Sequence, residues 1–501
     1  MKRRFEFLFL FVLMASLYIV LLTDCWLWVK AVAAAVYLLI IGTSMVSLML
    51  ENRTAQITLV WMYALLFFPV IGYAFYLYSG QLYIKGYLFR SKRAHDRDEW
   101  QLLLRSGEPE EAPDLKPSHK AFAQYAQRVS FSSMDTGTRT HILKNGEETF
   151  AEIMRRLGEA RQFIHIEYYI FRSDRLGQRI IGLLIDKARE GVEVRFMYDA
   201  LGGMSLQGKD IAAMKEAGIS VHAFLPIKLG FFNQKFNFRN HRKIIVIDGH
   251  IGFVGGLNVG VEYLGQNESI GFWRDTHMML EGSAVRTLHA VFLLDWNYVC
   301  QESLLKEKRY LQAEPVLGER GAVHVVASGP DTQQGIMSDL YYTMIASAST
   351  SVWIATPYFV PNEAIRTALR VAANRGVQVR IIVPEISDSF LTEYATKSYF
   401  PELLRSGVEI YMYQKGFLHQ KIVIVDGDLA SVGTANMDMR SFHLNFEVNV
   451  FLLGTDSIAD LVRQYEEDLE DSLRVMPVQF YKRGLKARGK ESFARLFSGV
   501  L

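Results

Sequence analysis

The chain has 501 residues, half of them apolar and 13% aromatic, with 55 Lys and Arg against 53 Asp and Glu for a net charge of +2. With no broad basic surface evident, that balance argues against a nucleic-acid partner, while the slightly positive mean hydropathy is high for a soluble enzyme and points to a membrane. Two cysteines, Cys25 and Cys300, and twelve largely dispersed histidines offer neither a disulfide framework nor a metal-ligand cluster. The expectation is chemistry with no metal and no other cofactor.

The apolar excess lies at the N-terminus, in segments at 7–23, 31–50 and 55–79. The second and third reach the roughly 20 residues that span a bilayer, and the first is short for that. Lys2, Arg3 and Arg4 before an apolar run also suit a secretory signal peptide, but no small-x-small cleavage site follows directly, which favours an anchor. The turn Glu51-Asn-Arg-Thr54 makes a helical hairpin of the second and third segments. Trp61, Tyr63, Tyr73, Tyr76 and Tyr78 include interfacial anchors. Orientation stays open: Lys2 to Arg4 and the cluster Lys85, Arg90, Lys92 and Arg93 both ask for the cytoplasmic side, and three spans cannot satisfy both. Residues 1–84 are thus a membrane anchor, and 85–130, interrupted by Glu108-Pro-Glu-Glu-Ala-Pro113, a connector.

Beyond the connector the sequence repeats itself. His241-Arg242-Lys243 leads through Ile-Ile-Val-Ile to Asp248, and His419-Gln420-Lys421 leads through Ile-Val-Ile-Val to Asp426. Gly255-Gly256-Leu257-Asn258 and Gly433-Thr434-Ala435-Asn436 follow at equal spacing, 17 residues from His to Asn in each copy. The β-branched runs read as buried strands. A His and a Lys leading into a buried strand need a polar cavity to face. Upstream, strands at 163–171 and 352–360 each precede a helix, and Gly191 and Gly376 stand where helix turns into strand. A further pair, Gly218-Ile-Ser-Val and Gly407-Val-Glu-Ile, matches in the same way. The fold expected is α/β: two pseudo-symmetric repeats, 131–310 and 311–501, packed as one catalytic domain behind N-terminal transmembrane helices.

Paired imidazoles and ammoniums suit a phosphoryl centre, which needs a nucleophile, a proton donor and cations together. The duplicated pattern resembles the HKD motif of the phospholipase D superfamily. Closer features are similar to bacterial cardiolipin synthases: Asn240-His-Arg-Lys-Ile244, Gly271-Phe-Trp-Arg-Asp-Thr-His277, Thr356-Pro-Tyr-Phe-Val-Pro361, Gly416-Phe-Leu-His-Gln-Lys421 and Ser441-Phe-His-Leu-Asn-Phe-Glu-Val-Asn449. The resemblance runs from about Thr58 to the end of the chain. It implies phospholipase D-like repeats, a covalent phosphohistidine, and transfer of a phosphatidyl group between two molecules of phosphatidylglycerol at the bacterial cell membrane. The protein would be a multi-pass membrane protein. A hydrolytic phospholipase D, or a transferase using phosphatidylethanolamine, would use the same residues.

On this reading His241 is the nucleophile and His419 the general acid and then base, although the near-equivalent motifs allow the reverse. Lys243 and Lys421 would bind phosphoryl oxygens, with Asn258, Asn436 and Thr434 as further donors. Each histidine needs an acceptor to fix its tautomer. Glu447, 28 residues after His419, occupies the position the family uses for this. The same spacing in the first half falls on Ser269, and Asp275 is the substitute after a short insertion. Asp248 and Asp426 belong to the motif but read as structural. The aromatic and basic stretch Phe224 to Arg239 is either a lip for anionic membrane lipid or a buried loop. The C-terminal cations Lys482, Arg483, Lys486, Arg488, Lys490 and Arg495 are either a headgroup surface or a solvated helix face.

Overall fold

The computed structural model describes residues 2–24, 26–50, 55–68, 71–72, 76, 88–105, 115–226, 235–266, 271–332 and 335–499. The chain divides into two compact units, Met1–Leu88 with Phe231–Asn237, and Phe89–Gly230 with Phe238–Leu501.

In the first unit, apolar sequence that must bond its own backbone forms the helices Lys2–Leu22, Leu27–Leu50 and Ala55–Phe67. Among the described residues one helix, Leu27–Leu50, is long and apolar enough to cross a membrane by length and composition. Its 24 residues extend about 36 Å. Val12–Leu22 and Thr58–Phe67 are shorter apolar helices. The turn at 51–54, Tyr73, Tyr78 and Lys85 lie outside the described residues, as does most of the third apolar segment beyond Phe68 and the stretch 227–234 of the aromatic loop.

The second unit holds two sheets with one topology. In the first sheet the strands lie in the order Thr138–Lys144, Thr276–Gly282, Ile251–Gly255, Lys243–Ile247, Phe163–Tyr168, Glu193–Asp199, Ser220–Phe224. The second runs Met134–Asp135, Ala322–Ser328, Glu447–Leu453, Leu429–Gly433, Ile422–Val425, Ser351–Ala355, Gln378–Pro384, Glu409–Tyr413, Ser472–Arg474. Apart from its two edge strands, the second sheet repeats the first strand for strand. In each, the last three shared strands are parallel and the rest antiparallel. Helices cover the sheets, and the two meet along the strands Ile251–Gly255 and Thr276–Gly282 of one and Leu429–Gly433 and Glu447–Leu453 of the other. Gly191 and Gly376, at φ +94° and +88°, end helices where the sequence places them.

The segment 115–135 packs into the second repeat. Helix Pro117–Ser130 buries Phe122, Ala123 and Ala126 in the core of the second repeat. The strand Met134–Asp135 then pairs with Ala322–Ser328. The chain therefore completes the second sheet before it begins the first.

Asp248 and Asp426 hold each repeat together in the same way. Both sit just past the buried strand in the left-handed region, at φ +51° and +53°. The Asp248 carboxylate accepts from the amides of Arg161, Gln162 and Phe163 at 2.8, 2.7 and 2.8 Å. Asp426 accepts from Ser349, Thr350 and Ser351 at 2.8, 2.7 and 2.9 Å. Burial acts to raise the Asp426 carboxyl, but these amides together hold it below the usual carboxylate range. The motif aspartates pin the start of one strand to the end of its neighbour. Replacing either Asp248 or Asp426 with Ala should lower stability by roughly 2–4 kcal/mol through three unpaired amides. Denaturant unfolding in detergent would measure it, with turnover per folded molecule little changed.

Candidate active site

Two short parallel pairings between the repeats set the site. Gly416–Leu418, which leads into His419, pairs with Phe272–Arg274, which leads into Asp275. Asn240, preceding His241, bridges to Phe446, preceding Glu447. The backbone confirms the register: His241 N donates to Phe446 O at 2.9 Å and His419 N to Arg274 O at 2.7 Å. In both places the next residue on one strand is a histidine and on the other a carboxylate.

The acceptors are consequently exchanged. His241 Nδ1 lies 2.9 and 3.1 Å from the oxygens of Glu447, and His419 Nδ1 lies 2.7 Å from Asp275 Oδ2. Each half fixes the other half's imidazole. Sequence spacing assigns Glu447 and Asp275 as acceptors but pairs each with its own repeat, because spacing carries no information about contacts between repeats. The two acids are structural equivalents: Gly255 is paired with His277 and Gly433 with Asn449, each two residues past the acid. The longer path from His241 to Asp275 is taken up before the Phe272–Arg274 strand.

Gly256 and Thr434 occupy matching positions, and the acid decides which residue fits. A Cβ on Gly256 would fall 2.1 Å from Asp275 Oδ1, so only glycine fits there. The Thr434 hydroxyl instead accepts from Val448 N at 2.9 Å. Asn258 is also engaged by the fold: its oxygen accepts from Ile170 N at 3.1 Å and its amide donates to Tyr263 at 3.2 Å. Asn436 is hydrogen-bonded to Asp438, and its buried Oδ1 has no partner among the described residues. These three side chains shape the site's walls rather than offering open donors.

Both histidines are largely buried, with side chains 12% and 9% exposed. Tyr169 meets His241 edge-on at 5.1 Å, and Trp273 lies 5.0 Å from His419. Burial pushes His241 down to about 4 against the pull of Glu447, and burial with Lys421 brings His419 to about 3. Lys421 Nζ stands 2.9 and 3.0 Å from the two ring nitrogens of His419. Lys243 Nζ is turned to His241 O at 2.6 Å. Burial lowers Lys243 to about 7 and Lys421 to about 8. Burial acts to raise the two acids, but His241 and Lys243 outweigh it at Glu447, and Lys421 and His419 do so at Asp275. The resting site thus has neutral imidazoles, ionised acids and ammoniums ready to lose their protons. An anion entering it would favour every charged cation.

Residues that sequence reasoning passed over lie one step behind. Arg242 donates to Glu447 O and Ser328 O, each at 3.1 Å, and pairs with Asp295. Lys92 joins the same cluster, 2.6, 3.0 and 2.7 Å from Asp96, Asp295 and Asp331. Gln420 of the second repeat and Arg274 of the first both bond Asp468, at 2.7 and 2.6 Å. Strand alternation was the available signal, since the middle residue of His-x-Lys must face away from its neighbours. Lys92 is a buried ion-pair partner, and Arg93 donates to Pro330 O and Asp331 O at 2.9 and 3.1 Å. The C-terminal cations divide similarly. Arg483 grips Glu491 at 2.7 and 2.6 Å, Lys490 reaches Tyr394, and Arg495 stacks on Tyr399, whereas Lys482, Lys486 and Arg488 are exposed.

Two His-x-Lys half-sites, each completed by an acid from the other repeat, on sheets of one topology, define a phospholipase D-like double repeat. A family model described as "Cardiolipin synthase, PLD-like domain" matches residues 153–296 and 341–471. The chain is 54% identical over 508 residues to a probable cardiolipin synthase of Bacillus subtilis (strain 168), covering 100% of both. It is 47% identical over 457 residues to a cardiolipin synthase of Geobacillus kaustophilus (strain HTA426), covering 90% of each. The crystal structure of phosphatidylserine synthase from Haemophilus influenzae Rd KW20 shares the fold, with a TM-score of 0.57, 16% identity, and coverage of 76% of this chain and 100% of that one. The chain belongs to the cardiolipin synthase family of phospholipase D-like proteins.

The exchange of acids is testable. Glu447→Gln should disturb the His241 tautomer and Asp275→Asn that of His419, each lowering kcat by about 10²–10⁴-fold. Imidazole nitrogen NMR would show which ring each change touches. In the unaltered protein kcat/KM should rise with pH through about 4 as His241 loses its proton, and fall from about 7 to 8 as Lys243 and Lys421 lose theirs. A pH–rate profile with short-chain substrate would check both limbs.

Proposed function

We propose that the protein is a membrane-bound phosphatidyltransferase that makes cardiolipin from two molecules of phosphatidylglycerol. The observation that carries this reading is the pair of neutral, carboxylate-fixed histidines flanked by two buried lysines, in a chain of the cardiolipin synthase family. His241, with its Nδ1 proton held by Glu447, presents the Nε2 lone pair and attacks phosphorus. The bond to the glycerol oxygen breaks, His419, which has taken up a proton at Nε2 as the phosphate anion entered, gives that proton to the departing alkoxide, and a phosphatidyl-histidine remains. The terminal hydroxyl of a second phosphatidylglycerol then gives its proton to His419 and attacks, breaking the P–N bond and forming cardiolipin. Lys243 and Lys421 hold the non-bridging oxygens throughout.

The choice of nucleophile is supported by local geometry. His241 Nε2 has no hydrogen-bond partner among the described residues, while Lys421 lies 3.0 Å from His419 Nε2. The reading includes a bacterial cell-membrane location and multi-pass insertion, with Leu27–Leu50 as the principal span. Leu485 and Leu496, 83% and 80% exposed among exposed C-terminal cations, favour a further contact with anionic lipid.

Purified full-length protein given labelled phosphatidylglycerol in detergent, with no divalent metal, should yield cardiolipin and equimolar glycerol. Phosphatidic acid as the main product would show a hydrolase instead, and faster turnover on added phosphatidylethanolamine would reassign the donor. His241→Ala and His419→Ala should each lower turnover by at least about 10³-fold. Labelled phosphatidyl-enzyme trapped in acid quench should vanish with His241→Ala. Its survival there and loss with His419→Ala would reverse the two roles.

A further inference from the structure

Strand alternation turns Arg242 away from His241 and Lys243, and on that side the second unit contains a cavity of about 650 Å³. Helix Arg90–Arg105 forms one wall, and the end of helix Pro117–Ser130, helix Ala284–Cys300 and the start of helix Ile336–Ser347 form the others. The volume lies within the range of small-molecule sites. None of His241, Lys243, Asp275, His419, Lys421 and Glu447 lines it.

Its lining is divided by chemistry. Val129, Phe131, Val291, Leu294 and Ile336 give an apolar wall, while five cations face two carboxylates, Asp96 and Asp331. Of those cations Lys92, Arg93 and Arg242 are held by the bonds already described. Arg90 and Arg97, seven residues apart and so on one helix face, are exposed and have no acidic partner among the described residues. Phe131 adds a second sign of a built site. It ends its helix in the left-handed region, at φ +60°, a conformation that a bulky residue rarely holds, and the residue is 39% exposed and lines the cavity.

We propose that this cavity is an anionic-phospholipid site distinct from the reaction centre. The phosphodiester sits at Arg90 and Arg97, and an acyl chain runs along Phe131, Val129 and Leu294. The space suits one headgroup and one chain, not the two phosphates and four chains of a cardiolipin. Arg242 lines the cavity and donates to the carbonyl of Glu447, so an occupant touches the group that holds the acid of His241. The choice of a phospholipid rests on the phosphatidyltransferase reading, whereas the binding itself does not require turnover.

Trp100 lines the cavity and supplies the readout. Full-length His241→Ala protein in neutral detergent is titrated with short-chain phosphatidylglycerol brominated on its acyl tails. Quenching is taken as the difference between chains with and without Trp100→Phe, which removes the signal of the other tryptophans. Saturable difference quenching is expected. It should weaken at least tenfold in the double variant Arg90→Glu, Arg97→Glu and for phosphatidylcholine with the same tails. Absence of difference quenching, its persistence in the double variant, equal quenching by phosphatidylcholine, or tighter binding of brominated cardiolipin would each overturn the proposal. Displacement by inorganic phosphate alone at equal concentration would overturn the role given to the tail. Because His241 is absent from the test protein, loss of transferase activity and loss of this site are separate results.

Discussion

The parallel backbone pairing between the repeats is the constraint on which the site depends. Asn240 against Phe446 and Leu418 against Arg274 place a histidine and a carboxylate side by side at the next step of each strand. Neither repeat can fix its own imidazole, so neither is a working half. Gly256 follows from the same constraint, since the acid reaching across to His419 occupies the space that a side chain there would need. The shared topology of the two sheets is what makes the exchange reciprocal.

Burial gives this geometry its chemical character. With the acids ionised, burial can hold both imidazoles neutral only because the lysines, rather than the histidines, carry the positive charge. A neutral imidazole with one nitrogen fixed by an acid is a competent nucleophile at the other. The same burial lowers the lysines to about 7 and 8, so an entering phosphate anion would hold them in their charged form.

Behind the site, each repeat repeats a second device. Arg242 ties Glu447 to Asp295, and Arg274 with Gln420 ties the approach to Asp275 and His419 to Asp468. Such buried ion pairs are costly to form and costlier to break, so they hold a register rather than add stability. Lys92, on the helix that follows the apolar N-terminal segments in sequence, pairs with Asp295 of the first repeat and Asp331 of the second. The cavity beside that helix is accordingly lined by residues of both repeats.

By itself the sequence determined what recurs. Two His-x-Lys motifs, their glycine turns and helix-ending glycines require only local periodicity and spacing, and they are enough to recover the α/β repeats. It also pointed to both acids, but not to their partners. Only the tertiary structure decided that Glu447 serves His241 and Asp275 serves His419, that Asn258 and Thr434 are engaged by the fold, and that Lys92 is a buried pair member rather than a surface charge. The reason is physical: each of those facts is a contact between segments distant in the chain, and spacing along one strand cannot encode what a neighbouring strand brings to it.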